Sequence, residues 1–306
     1  MSLKKKTSYA IVTCIFNGNS YVGGANALAW SAKQTQTQAD LICLVTKDVP
    51  QQELKHFDKI IVVNPIYVSQ IPECSSKFRS LYGIMSGQIC TKFQALCLTE
   101  YVKILLLDAD MLFLKNCDDL FELSTPAGCF SHQFSQRFVR HPDYPRSVKQ
   151  TLQRSEHKLH DYPELKHGDL VAADYICNVL SSIRRAYGAQ GGLYLLTPNT
   201  EDADLLKKNL TEILFSFPTP IVSGIDELCI TWFYASMKKN DWTHIDMSYN
   251  VISLHLYPVF KEKTKIIHFL RYKPWRESLE YLEKHYPDQV ITHKLYLKYG
   301  VPPPSL

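Results

Sequence analysis

The stretch Lys103-Ile104-Leu105-Leu106-Leu107-Asp108-Ala109-Asp110-Met111-Leu112-Phe113-Leu114 decides how the chain is read. Its first five residues form an apolar-rich strand that runs into two acidic residues separated by one alanine. In an open α/β sheet, ligands bind outside the carboxyl ends of the strands, so Asp108 and Asp110 lie where a site is expected. Alternation puts both side chains on the same side of an extended backbone. Two carboxylates this close repel, and a divalent cation bridging to a phosphate relieves the repulsion. The same pair also fits a strand end followed by a turn, where Asp is favoured in any case.

Working outward, strands alternate with helices. Tyr9–Phe16 reads as a buried strand, Tyr21–Gln36 as a helix, Leu41–Thr46 and Lys59–Val63 as two more strands. Pro65–Ser76 reads as loop, and a helix around Gln88–Glu100 leads into the 103–107 strand. Alternation of this kind predicts a mostly parallel sheet with right-handed crossovers. Further on, Leu120-Phe121 and Gly128–Phe130 read as a short helix and strand. Gly191-Gly192-Leu193-Tyr194-Leu195-Leu196 reads as a strand entered through two glycines. A helix capped near Asn199 or Thr200 runs to Phe215, and Ser223-Gly224-Ile225-Asp226-Glu227 opens another through Ala235. His244–Ile245 and Lys265–His268 are the late strands.

Between Ser131 and Arg185 the composition turns polar, with five histidines (132, 141, 157, 160 and 167) and no clear strand pattern. Loops this long in a compact domain are usually lids or binding segments. The segment therefore reads as an insertion beside the site, a lid or acceptor-binding surface carrying Arg137, Arg140, Arg146 and Arg154. The histidine spacings match no metal-ligand pattern, so solvated surface histidines are expected there.

The totals bound the class. The 306 residues suffice for one large α/β domain or two smaller ones, and 45% apolar against 21% charged residues describes a globular chain with a full core. A net charge of +4, from 34 basic and 30 acidic residues, is too mild to indicate nucleic acid. Nine cysteines without a Cys-x-x-Cys pair weigh against zinc-ribbon and thioredoxin motifs and fit a reducing, cytoplasmic setting. Lys4-Lys5-Lys6 before the first apolar run resembles a signal peptide. The run is short and ends in the turn Asn17-Gly18-Asn19, so a first core strand is expected instead. No stretch approaches the ~18 apolar residues of a membrane span. The sequon Asn209-Leu210-Thr211 falls in a helical pattern.

A second informative stretch is Ile266-Ile267-His268-Phe269-Leu270-Arg271-Tyr272-Lys273-Pro274-Trp275. A β-branched strand delivers a histidine at its end, and a lysine follows just before a Pro-Trp helix start. Neutral imidazole joins carboxylates as a ligand for Mn2+-class ions, and lysine supplies a point charge for phosphate. A strand-end histidine and a solvent lysine would look the same in isolation.

Together these segments resemble glycosyltransferase family 8, the glycogenin-like retaining enzymes of the GT-A fold. That family carries Asp-x-Asp after a hydrophobic strand and a distant His-Phe-x-Gly-x-x-Lys-Pro-Trp, matched here by Asp108-Ala109-Asp110 and by His268-Phe269 with Lys273-Pro274-Trp275. The resemblance covers most of the chain apart from the 131–185 insertion. It implies a single GT-A (Rossmann-like) α/β domain over 1–306, with a mixed, mostly parallel central sheet flanked by helices. It also implies transfer of a hexose, glucose by family weight, from a UDP-sugar to a hydroxyl acceptor, including self-glycosylation as one option. Relatives commonly form homodimers, although no residue here marks such a face.

Carried over by position, Asp108, Asp110 and His268 would hold Mn2+, with Mg2+ as its substitute. Thr13, Asn17 and Tyr21 would border the uracil, Tyr21 by stacking. Arg79 and Lys92 would approach the sugar or phosphates, Lys273 the diphosphate. Ala109, Gly191 and Gly192 would lie against the donor. Asp226 and Gln190 are the sugar-side residues nearest to a catalytic role. The chain departs from the family at Arg271, where glycine is usual, at Gln190-Gly191-Gly192, and at Asp226-Glu227, where Asp-Gln is usual. These departures bear on donor and acceptor identity. Two rivals use similar residues. A haloacid-dehalogenase-type phosphatase also has Asp-x-Asp after a strand, but wants a small hydroxyl residue where Leu112 stands. A nucleotide-sugar-binding protein without turnover would keep the site and lose the reaction.

Overall fold

The computed structural model of the chain describes residues 7–74, 87–130, 140–143, 146, 162–182, 187–219, 221, 224–253, 256–270 and 272–302. Four strands form the parallel half of a mixed sheet: β1 (Tyr9–Ile15), β2 (Asp40–Val45), β3 (Lys59–Val62) and β4 (Lys103–Leu107), in the order β3-β2-β1-β4. Beyond β4 the sheet continues through β8 (Leu193–Leu196), β6 (Ala127–Gly128), β9 (Trp242–His244) and β7 (Leu170–Val171). Here β8 runs antiparallel to both of its neighbours.

Both faces of the sheet are covered, which is why its central strands are apolar without a break. Ile104 and Leu106 join Ala10, Val12, Tyr194 and Leu196 on one face. Leu105 and Leu107 join Ile11, Leu193 and Leu195 on the other. The alanine-rich helix α1 (Val22–Gln34) buries Leu28, Ala29 and Ala32 against the second face. Helices α3 (Thr200–Phe215) and α4 (Ile225–Trp232) bury Leu206, Leu210, Ile225 and Leu228 against the first. Asn199 caps α3 as expected, its side chain accepting from the Asp202 N–H at 3.0 Å.

Register places the site. Thr13 of β1 pairs with Leu107 of β4, so β4 ends two residues short of β1 at the same edge. Across β4, the Asp108 N–H donates to the Gly192 carbonyl at 3.0 Å. A small second sheet, β10 (Val251–Ile252), β11 (Ile266–His268) and β5 (Met111–Phe113), sets His268 opposite Met111. The Phe269 N–H then donates to the Asp110 carbonyl at 2.9 Å, which ties the late strand to the acidic turn.

Three expectations need correction. The helix at 88–100 is a tight 3-10 helix over Ile89–Cys97, whose three-residue period stacks Cys90, Phe93 and Leu96 into the core. The 131–185 segment is not structureless throughout. Its last part forms β7, which pairs with β9, and a helix α2 (Ala173–Ser182) that buries Ala173, Ile176 and Leu180. Two residues are too few to show alternation, and the apolar i, i+3, i+7 spacing of the helix was hidden by polar neighbours. Most of the remaining segment lies outside the described residues. Finally, Pro274-Trp275 opens a turn and no helix; the next helix, α5 (Leu279–His285), starts at the cap Ser278.

Candidate functional site

The carboxyl ends of β1 and β4, the start of β8, the end of β11 and the N-terminus of α4 meet at one place. Ligand atoms of Asp108, Asp110 and His268 all lie within 4.8 Å of one another, the single such cluster among the described residues. His268 Nε2 stands 3.3 Å from Asp110 Oδ1 and 4.0 Å from Asp108 Oδ2. Both His268 Nε2 and Asp110 Oδ1 are buried without a hydrogen-bond partner. Two buried polar atoms left without partners are costly, and a cation satisfies both. Two carboxylates with one imidazole suit an Mn2+-class ion, so the residues present fit the metal.

Two lysines balance the acidic pair. Lys92, almost fully buried, bonds Asp108 and reaches Asp226 Oδ2 at 2.7 Å. Burial alone would push its ammonium pKa down, but the two carboxylates reverse that and hold it above the usual lysine range. Lys273 bonds Asp110 and donates to the Phe269 carbonyl at 2.6 Å. Burial would raise the Asp110 carboxyl, yet Lys273 beside it holds it well below the usual carboxylate range.

The loop before β8 is held by bonds from Gly188 to Gly191. Glu227 accepts from the Gly188 N–H at 3.0 Å and the Gly191 N–H at 3.2 Å. Thr231 Oγ1 accepts from Ala189 N, and the Cys129 carbonyl accepts from Gln190 N at 2.6 Å. Gln190 Oε1 is buried and unpartnered. Burial pushes the Glu227 carboxyl up to about 8, with Asp226 adding to the rise. Gly192 has φ +97°, and a Cβ there would meet His268 Cε1 at 2.6 Å, so only glycine lets the imidazole lie against the backbone.

At the other side, Thr13 Oγ1 is buried and unpartnered, while Asn17 is exposed in a left-handed turn (φ 60°). Asp48 holds that turn by accepting from Gly18 N at 2.7 Å. Tyr21 packs beside Trp275, ring centroids 5.8 Å apart, with Lys273 Nζ 5.5 Å from its ring. Ala109 is buried, and its carbonyl stands 2.5 Å from where a Cβ on Gly24 would be. That close approach admits the Trp275 indole, whose Nε1 donates to the Ser20 carbonyl at 2.9 Å. Of the residues singled out from sequence, Tyr21, Lys92, Asp108, Asp110, Gln190, Gly191, Gly192, Asp226, His268 and Lys273 belong to these contiguous contacts, while Thr13 lies nearby toward the end of β1 with its hydroxyl unpartnered and Asn17 is exposed. Arg79, Ser223 and Arg271 lie outside the described residues.

Sequence reasoning missed Asp48 and Asn250. Asn250 is fully buried and bridges His268 Nδ1 at 3.0 Å to the Gly191 carbonyl at 3.2 Å. A lone asparagine ahead of a two-residue strand carries no signal. Of the insertion's histidines, His167 accepts from the Asp246 N–H and stacks on Tyr249.

The chain is 25% identical to human glycogenin-1 over 286 residues, covering 90% of this chain and 64% of that protein. The chain resembles the glycogenin-like glycosyltransferases. The glycogenin-like chain is also 28% identical to the uncharacterized protein R707 of Acanthamoeba polyphaga mimivirus over 309 residues, 94% of this chain and 91% of that one. Among solved structures, the galactosyltransferase LgtC in complex with donor and acceptor sugar analogs matches with a TM-score of 0.51 at 13% identity, over 96% of this chain and 98% of that one. At that identity the likeness concerns the fold, and it agrees with the GT-A arrangement read from sequence. No family model matches the chain. Among the described residues, no helix is long and apolar enough to cross a membrane.

Proposed function

We propose that the chain is a retaining, Mn2+-dependent hexosyltransferase that takes a UDP-sugar, UDP-glucose first, and delivers the sugar to a hydroxyl acceptor. The observation that carries this reading is the meeting of Asp108, Asp110 and His268 around one point, with Asp110 Oδ1 and His268 Nε2 both buried and unpartnered. A divalent ion held there neutralises the charge that grows on a departing diphosphate.

The chain's own residues divide the remaining work. Thr13, Asn17 and Tyr21 border the base at the carboxyl end of β1. Lys273, beside Asp110, adds a second positive charge for the diphosphate. Gln190 and the Gly191-Gly192 backbone face the sugar. The Asp226 carboxylate is tied to the Lys92 ammonium, which suits it to orienting Lys92 better than to free nucleophilic attack. This favours same-face attack by the acceptor, assisted by the leaving phosphate, over a covalent intermediate. Self-glycosylation, one option that the resemblance to glycogenin implies, is one arm of the test.

The test is incubation with Mn2+ and a panel of UDP-sugars, reading UDP release and mass added to the protein. Metal-dependent release with one preferred sugar is expected. Binding of UDP with neither hydrolysis nor transfer would leave a nucleotide-sugar-binding protein, and no binding at all would end the proposal.

A further inference from the structure

We propose that Asn250 is a positioning residue that fixes the tautomer of His268 and couples it to the sugar-facing loop. The proposal rests on the metal site described above. Asn250 sits just before β10, fully buried, and its amide makes two bonds with no slack. One end meets the Gly191 carbonyl at 3.2 Å, the other His268 Nδ1 at 3.0 Å.

The orientation of that amide follows from elimination. A backbone carbonyl can only accept, so the Asn250 Nδ2 must face Gly191. Its Oδ1 therefore faces His268, and an oxygen there can only accept. Nδ1 must then carry a proton, which in the neutral ring leaves the Nε2 lone pair directed at Asp110 and Asp108. The opposite tautomer would require the amide to turn over and set one carbonyl against another. Thus the Gly191 carbonyl, two hydrogen bonds away, makes His268 a ligand in place of a donor.

The same bond works in the other direction. Gly191 belongs to the loop held by Glu227, Thr231 and the Cys129 carbonyl, and Gly192 rests against the imidazole. Loop and ligand therefore share one anchor. Partners of metal-bound histidines fix ring orientation, and losing one typically weakens metal affinity 10- to 100-fold.

The experiment has two readouts. First, the protein without added metal is labelled with 15N-histidine and its ring nitrogens are assigned by NMR at pH 8. The expected result is a proton on Nδ1 of His268; a proton on Nε2 overturns the proposal whether or not the protein binds metal. Second, Mn2+ is titrated by calorimetry with no donor present, into wild type, Asn250→Ala and Asp110→Asn. Asn250→Ala is expected to bind Mn2+ about 10- to 100-fold more weakly than wild type. Affinity within threefold of wild type would overturn the coupling. Failure of wild type itself to bind Mn2+ would instead sink the functional reading, and the ring assignment would still decide the tautomer. Should Asn250→Ala not fold, that wild-type assignment stands as the deciding measurement.

Discussion

His268 Nε2 and Asp110 Oδ1 face each other across 3.3 Å, each buried and each without another partner. They arrive from separate parts of the chain because β11 pairs antiparallel with β5, directly after the acidic turn. Asp110→Asn halves the charge that Asp108 and Asp110 together can offer a cation while keeping the side chain's shape. Transfer is expected to vanish and Mn2+ affinity to fall by about 100-fold or more, with the far-UV circular dichroism unchanged. A variant retaining full metal-dependent activity would refute the assigned ligand.

Lys273 is the cation that Asp110 already has. Lys273→Met strands a buried carboxylate, and breaking such a pair costs about 3–5 kcal/mol. The melting temperature of the metal-free variant should drop accordingly. Because Mn2+ can replace the lost charge, it should raise the melting temperature of Lys273→Met more than that of wild type. Equal shifts would show that the lysine and the metal do not share a site.

Glu227 makes stability depend on pH. Burial pushes its carboxyl from the ordinary value of 4.5 up to about 8 in the folded chain. The folded state therefore holds the proton more tightly than the unfolded one, so the stability this group contributes is fully present below pH 4.5 and is lost as pH rises towards 8. Glu227→Gln cannot ionise, and its urea denaturation midpoint should fall less than that of wild type between pH 5.5 and 8.5. Parallel pH profiles would remove Glu227 from the account.

Gly192→Ala tests the contact between backbone and imidazole. The new Cβ would lie 2.6 Å from His268 Cε1 at a φ of +97°. Strain of this kind costs about 1–3 kcal/mol, and relieving it moves the ring away from Asp110. Both lower thermal stability and weaker Mn2+ binding are expected, measured on the same preparation. Loss of stability alone would show that the ring holds its place.

Long apolar strands were legible in the sequence because both faces of the sheet are covered. The β1, β2, β4 and β11 boundaries fall within a residue or two of expectation. The acidic pair and His268 were legible as strand-end polar residues. Less visible was what joins them. Lys92 is a buried cation between Asp108 and Asp226, and nothing in its local sequence distinguishes it from a surface lysine. Asn250 and Glu227 bond to backbone atoms of a distant loop, and such partners leave no mark in residue type. β7 and α2 escaped because two-residue strands have no period and the polar insertion masked a buried face.

The indole of Trp275, wedged through Gly24 and hydrogen-bonded to Ser20, also has an optical consequence. A fluorophore sits beside Tyr21, where the nucleotide base is expected, so emission can report ligand entry without a label. Because the other three tryptophans lie elsewhere along the chain, replacing all three together with phenylalanine would isolate that signal.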